Sequence, residues 1–209
     1  MKYRAALFDL DGVILDTEPL HEAAFRMVLE AYGHNLTAQD YKEHFAGRTD
    51  QAGLETHFQS HEAPANISQL ADEKNNAFMQ AILSKLQPYP DTINTINAFP
   101  PDFPIAVVTG ARRLEATVAL DALGILNRFG ALVTADDVSR SKPNPEGYLK
   151  AADLLGIPIS ACVGVEDSVR GVEAVIASGA ACIAVTNTHA AQELQHATVV
   201  VSQLDGSLF

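Results

Sequence analysis

The stretch Ala6-Leu7-Phe8-Asp9-Leu10-Asp11-Gly12-Val13-Ile14-Leu15 decides the fold. It begins as a continuous apolar run, which is typical of a strand covered on both faces. Asp9 and Asp11 are two positions apart at the end of that run, so both carboxylates project from the same face of an extended chain, and Gly12 then permits a sharp turn. Ligands of open parallel sheets bind beyond the carboxyl ends of the strands, so the pair is a candidate reactive site, although alone it also fits a polar turn or a calcium loop.

Further short apolar runs along the chain predict the other strands of a sheet. Together with the first run, they cover residues 4–8, 105–109, 131–134, 161–165, 181–185 and 198–201. Helical stretches with recognisable ends lie between them, and two of these end at Gly156 and Gly179. This alternation predicts an α/β fold with a doubly wound, mainly parallel sheet and a Rossmann-like core.

Residues 16–87 interrupt the alternation and are predicted to be helical. A first helix is indicated by apolar residues at spacings of three and four, namely Leu20, Ala23, Ala24, Met27, Val28 and Ala31, with Gly33 at its end. Residues 37–40 resemble a capping box that opens a second helix, and residues 67–86 are predicted as a longer one. We therefore expect an α/β core of residues 1–15 and 88–209 and a small all-helical cap domain, residues 16–87, inserted after the first strand.

Composition and charge argue against several classes of function. The net charge is −12, with only 14 lysines and arginines, whereas binding to nucleic acid or to an anionic membrane surface requires clustered basic residues. No apolar run reaches membrane-spanning length, and the first one is broken at Asp9, too early for a signal peptide. Cys162 and Cys182 match no metal or redox spacing and are expected to be buried thiols. We expect a cytoplasmic monomer whose partner is a small molecule.

Three further motifs extend the pattern that begins at Asp9. They are Val107-Val108-Thr109-Gly110, Ser141-Lys142-Pro143 and Val163-Gly164-Val165-Glu166-Asp167-Ser168. With Asp9-x-Asp11 they resemble the four motifs of the haloacid dehalogenase-like hydrolases, and the resemblance covers nearly the whole chain. Within that family the chain is similar to the beta-phosphoglucomutase-like branch, which contains sugar-phosphate mutases and small sugar-phosphate phosphatases.

The resemblance implies phosphoryl transfer through a covalent intermediate. Asp9 would be the nucleophile that forms an aspartyl-phosphate, and Asp11 would be the general acid and base. Thr109 would donate its hydroxyl to a phosphoryl oxygen. Lys142 would bridge the phosphoryl group and Asp9 as a compact cation.

The resemblance also implies a Mg²⁺ cofactor bound by hard oxygen ligands. Asp9, the backbone carbonyl of Asp11 and Asp167 would hold the ion, and Glu166 would be either a further ligand or an orienting neighbour. Taken alone, Glu166 and Asp167 also fit a helix N-terminus, with Asp167 as the N-cap residue.

The expected substrate-binding residues are inferred from the same branch. His21 matches a cap-hinge histidine and Lys74 matches a cap lysine, although each also fits a solvated helix residue. The complete expected set is His21, Gly47, Arg48, Lys74, Gly110, Ala111 and Arg112.

One departure from the mutase pattern bears on the reaction. That pattern places an arginine three residues after the cap glycine, whereas here Arg48 follows Gly47 directly and Asp50 takes the expected place. Arg112 falls where a mutase has a lysine, which keeps the mutase alternative open. The sequence therefore predicts a Mg²⁺-dependent phosphatase acting on a small phosphorylated sugar or related metabolite. The alternatives are a beta-phosphoglucomutase-like isomerase and a non-catalytic binding protein on the same fold.

Overall fold

A computed structural model describes residues 1–45, 48–59, 61 and 66–209, with only the backbone for Leu83 and Ser84. Gly47, one of the expected substrate-binding residues, lies outside the described residues. The chain forms two compact units. One comprises residues Met1–Asp16 and Gln87–Phe209, the other Thr17–Leu86.

The larger unit is built on a sheet in which the described residues form six strands, all parallel. They are β1 (Ala5–Phe8), β2 (Ile105–Val108), β3 (Ala131–Val133), β4 (Cys162–Glu166), β5 (Ala181–Val185) and β6 (Val199–Val201). Their spatial order is β3-β2-β1-β4-β5-β6, so strand order reverses direction beside β1. The register pairs Phe8 of β1 with Val107 of β2 and with Val165 of β4. The expected doubly wound α/β fold is confirmed.

Four α-helices in this unit connect or flank the strands. They are α5 (Pro90–Ala98), α6 (Arg113–Ala122), α7 (Glu146–Leu155) and α8 (Val169–Ser178). Gly156 and Gly179 end α7 and α8 with φ values of 67° and 89°, in the left-handed region that glycine adopts readily. The N-cap of α8 is Ser168, whose hydroxyl accepts a hydrogen bond from the Gly171 amide. The alternative in which Asp167 is the N-cap residue of this helix is therefore wrong.

Close packing of α8 on the sheet fixes the position of β4. A Cβ atom added to Gly164 of β4 would lie 2.5 Å from Val175 of α8, so the glycine lets helix and strand approach directly. Leu7 and Val172 belong to the same buried apolar cluster. Direct parallel pairing of Phe8 with Val165 places the end of β4, which carries acidic residues, beside the end of β1.

Within the described part of the smaller unit, all regular elements are helices. They are α1 (Glu18–Ala31), α2 (Ala38–His44), α3 (Asp50–His57) and α4 (Ile67–Lys85). The capping box expected at the start of α2 is present, since Thr37 and Asp40 exchange side-chain and backbone hydrogen bonds. No helix of the described residues is long and apolar enough to cross a membrane.

Two details of the smaller unit differ from the sequence analysis. Ala23, Met27 and Ala31 are exposed rather than buried on α1, because Phe25 and Leu29 bring the apolar stripe to a neighbouring face. Helix α3 was not predicted. It has eight residues and begins where the Thr49 hydroxyl accepts from the Ala52 amide, a local capping signal with little apolar periodicity behind it.

Four histidines converge in the smaller unit. The Nδ1 atoms of His44 and His57 lie 3.2 Å apart, and the rings of His57 and His61 stack with centroids 4.3 Å apart. The His34 ring lies edge-on, 6.0 Å from the His57 ring. Burial, followed by the neighbouring histidines, lowers the pKa of His57 to about 4.

Acidification is therefore expected to destabilise the folded protein through His57. Its pKa in the folded chain is below the ordinary value of 6.5, so its contribution to stability is complete above pH 6.5 and is lost as the pH falls through 4. Thermal unfolding midpoints measured across this range should show a weaker pH dependence for His57→Gln than for the wild type. The exposed His196→Gln is the control. Equal pH dependence in all three proteins would contradict the assignment.

Candidate active site

The predicted catalytic side chains of the larger unit meet at the carboxyl edge of the sheet. Asp9 follows β1, Thr109 follows β2, and Asp167 follows β4. Because β1 lies between β2 and β4, these three residues are neighbours in space. Lys142 reaches the same place from the loop before α7, since its Nζ lies 2.8 Å from Oδ2 of Asp9.

Three buried carboxylates form an acidic cluster at this edge. Oxygens of Asp9, Glu166 and Asp167 all lie within 4.8 Å of one another. Burial, and then the charge of Glu166, raise the pKa of Asp9 well above its ordinary value, and the same two causes raise the pKa of Asp167 to about 7. A divalent cation would favour the ionised carboxylates, so this donor set fits a hard metal ion such as Mg²⁺.

Lys142 supplies positive charge to the cluster. Its ammonium nitrogen lies 2.8 Å from Asp9 and 2.6 Å from Oε1 of Glu166. Burial opposes the charged form, but the carboxylates of Asp9 and Glu166 together raise the pKa of Lys142 above its ordinary value. The lysine is therefore a permanent cation held against the candidate nucleophile.

Glu166 is surrounded by protein donors on both of its oxygens. Oε1 accepts from the Tyr148 hydroxyl at 2.6 Å, and Oε2 accepts from the Ser168 hydroxyl at 3.1 Å and from the Asp167 amide at 3.2 Å. Gly171 makes room for this carboxylate, because an added Cβ would overlap it. Sequence reasoning missed Tyr148, since a tyrosine in an apolar helix is typical of a core residue.

Asp11 and Thr109 contact each other across the loops that follow β1 and β2. The Thr109 hydroxyl is placed to donate to Oδ2 of Asp11 at 3.4 Å, and it accepts from the Ala111 amide at 2.9 Å. The side chain expected to donate to a phosphoryl oxygen thus also contacts the expected general acid.

The turn after Asp11 is held by residues that the sequence analysis did not single out. Gly12 has φ 74°, and a Cβ there would overlap the Asp167 carboxylate. Asn187 donates its amide to the Gly12 carbonyl at 2.7 Å, and the Thr188 hydroxyl donates to Asp167. Both residues follow β5, where an Asn-Thr pair is otherwise typical of an ordinary loop.

The expected phosphate-binding residues Gly110, Ala111 and Arg112 lie in the loop between β2 and α6, and Arg112 is the N-cap residue of α6. Gly110 is exposed, the Ala111 amide points to Thr109, and the Arg112 amide donates to Glu115 at 3.1 Å. The Arg112 residue is exposed. The structure thus places Gly110 and Ala111 directly beside Thr109.

His21 and Lys74 are brought together inside the smaller unit. The Lys74 ammonium donates to His21 Nδ1 at 2.7 Å and to both oxygens of Asp50 at 2.9 Å. The His21 ring stacks on Phe78 at 4.0 Å, and burial, then the Lys74 charge, lower the pKa of His21 well below its ordinary value. Arg48 is exposed and donates to the Glu43 carbonyl. Asp50, the acid in the expected arginine position, is therefore the counter-ion of a buried lysine.

Comparisons with known proteins assign the family. The sequence model of the haloacid dehalogenase-like hydrolases matches residues 6–185. Fructose-1-phosphate phosphatase of Escherichia coli is 34% identical over 85% of this chain and 94% of its own length. Validoxylamine A 7'-phosphate phosphatase of Streptomyces hygroscopicus is 31% identical over 97% of this chain and 94% of its own. The chain therefore belongs to the haloacid dehalogenase-like hydrolase family, and the resemblance inferred from its motifs is confirmed.

A solved structure has the same fold as this chain. The beta-phosphoglucomutase of Clostridium difficile has a TM-score of 0.78 and 24% identity, over 99% of this chain and 93% of that one. The two chains therefore share this fold, which does not by itself determine function.

Removal of the Asp50 carboxylate is expected to destabilise the protein. Asp50→Ala leaves the Lys74 ammonium, whose side chain is 1% exposed, without its carboxylate, and losing one partner of a buried pair costs about 3 kcal/mol. Denaturant unfolding measures this change in the free energy of unfolding. Glu22→Ala, which breaks the exposed Arg26–Glu22 pair, is the matched control, with an expected loss below about 1 kcal/mol. Equal losses in the two variants would refute the pairing.

Proposed function

We propose that this protein is a Mg²⁺-dependent phosphatase that hydrolyses a small phosphorylated sugar or related metabolite through an aspartyl-phosphate intermediate. The observation that carries the proposal is the buried carboxylate of Asp9, which lies 2.8 Å from the Lys142 ammonium and within 4.8 Å of two further acids. The two phosphatase relatives support phosphate monoesters as the substrate class.

The metal would be held by Asp9 and Asp167 through their side chains and by Asp11 through its backbone carbonyl. Mg²⁺ prefers such oxygen ligands, and when bound it neutralises charge on the phosphoryl group. Glu166 would be an orienting neighbour of the metal site and not a ligand, because both of its oxygens already accept hydrogen bonds from the protein. It serves as the counter-ion of Lys142.

The first step transfers the phosphoryl group to the protein. A carboxylate oxygen of Asp9 attacks phosphorus while the bond to the sugar oxygen breaks, and Asp11 gives its proton to the departing alkoxide. Lys142 balances the charge that Asp9 shares with the phosphoryl oxygens, and Thr109 donates to one of those oxygens.

The second step returns the nucleophile. Asp11, now ionised, takes a proton from water, and that water attacks phosphorus. The bond between phosphorus and Asp9 breaks, which releases inorganic phosphate and restores the Asp9 carboxylate. Asp11 thus needs to hold and release one proton per cycle.

Asp9→Asn is expected to fold normally and to lose essentially all phosphatase activity, because the amide keeps the shape of the side chain but lacks the nucleophilic charge. Phosphate release from a panel of sugar phosphates that includes fructose 1-phosphate measures the effect. The control is Asp102→Asn, an exposed position in the same unit, which should retain wild-type activity. Near-wild-type turnover by Asp9→Asn would overturn the proposal.

Removal of Mg²⁺ with a chelator is expected to abolish hydrolysis, because the clustered acids then lack the cation that opposes their repulsion. Adding Mg²⁺ back should restore activity. Ca²⁺ should inhibit, because it accepts a looser geometry with more ligands and misplaces the nucleophile. Full activity in the presence of chelator would contradict a metal site.

The choice between hydrolysis and isomerisation is tested by product analysis. Asp50 occupies the place of a mutase arginine and is paired with Lys74, which favours hydrolysis. We expect inorganic phosphate and free sugar to accumulate in equal amounts. The mutase alternative is tested by supplying beta-glucose 1-phosphate together with glucose 1,6-bisphosphate. Rapid formation of glucose 6-phosphate with negligible phosphate release would identify a mutase instead.

A further inference from the structure

Tyr148 contacts the catalytic machinery but has no role in the two steps described above. It lies on α7, its side chain is fully buried, and its hydroxyl donates to Oε1 of Glu166 at 2.6 Å. This bond is short for a hydroxyl donor and is charge-assisted, because the acceptor is a carboxylate.

The Tyr148 ring also contacts the cation that Glu166 holds. The Lys142 ammonium lies 5.6 Å from the centroid of the ring, within the range of a cation–π interaction. The tyrosine therefore contacts both members of the Lys142–Glu166 ion pair, one through its ring and the other through its hydroxyl.

Lys142 is shared between two carboxylates that compete for it. Its ammonium lies 2.6 Å from Glu166 and 2.8 Å from Asp9. Oε1 of Glu166 accepts a hydrogen bond from the Tyr148 hydroxyl and also forms the ion pair with Lys142. The hydroxyl therefore stabilises part of the negative charge on that oxygen. Without this hydroxyl, Glu166 would depend more on Lys142 and would draw the ammonium away from Asp9.

We propose that Tyr148 is a positioning residue: its hydroxyl holds the Glu166 carboxylate so that Lys142 stays beside Asp9 during phosphoryl transfer. This inference rests on the proposed function, because it concerns the same nucleophile. Tyr148 acts through Glu166 and Lys142 and does not touch the substrate.

Tyr148→Phe tests the proposal, because it removes the hydroxyl and keeps the ring. Hydrogen bonds to charged groups are worth enough to change a rate by about tenfold to a hundredfold, so we expect kcat to fall by that factor with KM nearly unchanged. Rapid-quench measurement should show slower formation of phosphorylated Asp9.

Tyr41→Phe is the matched control. Tyr41 is a buried tyrosine in the smaller unit whose hydroxyl donates to the Glu18 carboxylate at 2.7 Å. We expect it to lower the thermal midpoint about as much as Tyr148→Phe while leaving kcat unchanged. If Tyr148→Phe lowers only the thermal midpoint and retains wild-type kcat, its role is structural and the proposal is overturned.

A second readout does not depend on turnover. Beryllium fluoride added with Mg²⁺ mimics a phosphoryl group on Asp9, and its ¹⁹F resonances report the contacts of each fluorine. We expect a fluorine beside Lys142 to change its chemical shift in Tyr148→Phe and not in Tyr41→Phe. Identical spectra would overturn the positioning role while leaving the proposed function intact. Wild-type protein that neither hydrolyses sugar phosphates nor binds beryllium fluoride would overturn both.

Discussion

The repulsion among three buried carboxylates is the constraint on which the rest of the site depends. Asp9, Glu166 and Asp167 lie within 4.8 Å of one another, and Lys142 supplies a shared cation to two of them. A buried charge is tolerated only when it is paired and hydrogen-bonded. Hydroxyls of Tyr148, Ser168 and Thr188 donate to these carboxylates, and Gly12 and Gly171 make space for them.

The smaller unit also pairs a buried charge with polar partners, but there the central charge is positive. Its buried lysine, Lys74, is surrounded by the Asp50 carboxylate, the neutral ring of His21 and the faces of Phe25 and Phe78. In the larger unit one lysine pairs with two acids. In the smaller unit one lysine is contacted by one acid, one imidazole and two aromatic rings. The first arrangement leaves negative charge for a metal to bind, and the second balances the buried lysine locally.

Much of the fold could be predicted because its signals are local. Strands covered on both faces read as continuous apolar runs, and left-handed glycines such as Gly156 and Gly179 mark helix ends. The meeting of Asp9, Thr109 and Asp167 could be predicted too, since each follows a strand and parallel strands end at one edge. The supporting residues could not. Tyr148, Asn187 and Thr188 act through contacts between distant segments, and nothing in their local sequence distinguishes them from core or loop residues. Helix α3 could not be predicted because its eight residues carry little apolar periodicity.

The position of β1 at the centre of the sheet has a consequence for how the chain acquires its structure. Ala6 pairs with Ile105 on one side and with Val163 on the other. Strand β1 therefore cannot pair until segments at least about a hundred residues further along the chain have been synthesised. Such non-local pairing is slow, and an unpaired apolar strand is prone to aggregation. During synthesis on the ribosome, the residues between β1 and β2 emerge first and can form their own helices. The candidate active site is completed only when the segment after β5 has emerged and Asn187 can donate to the Gly12 carbonyl.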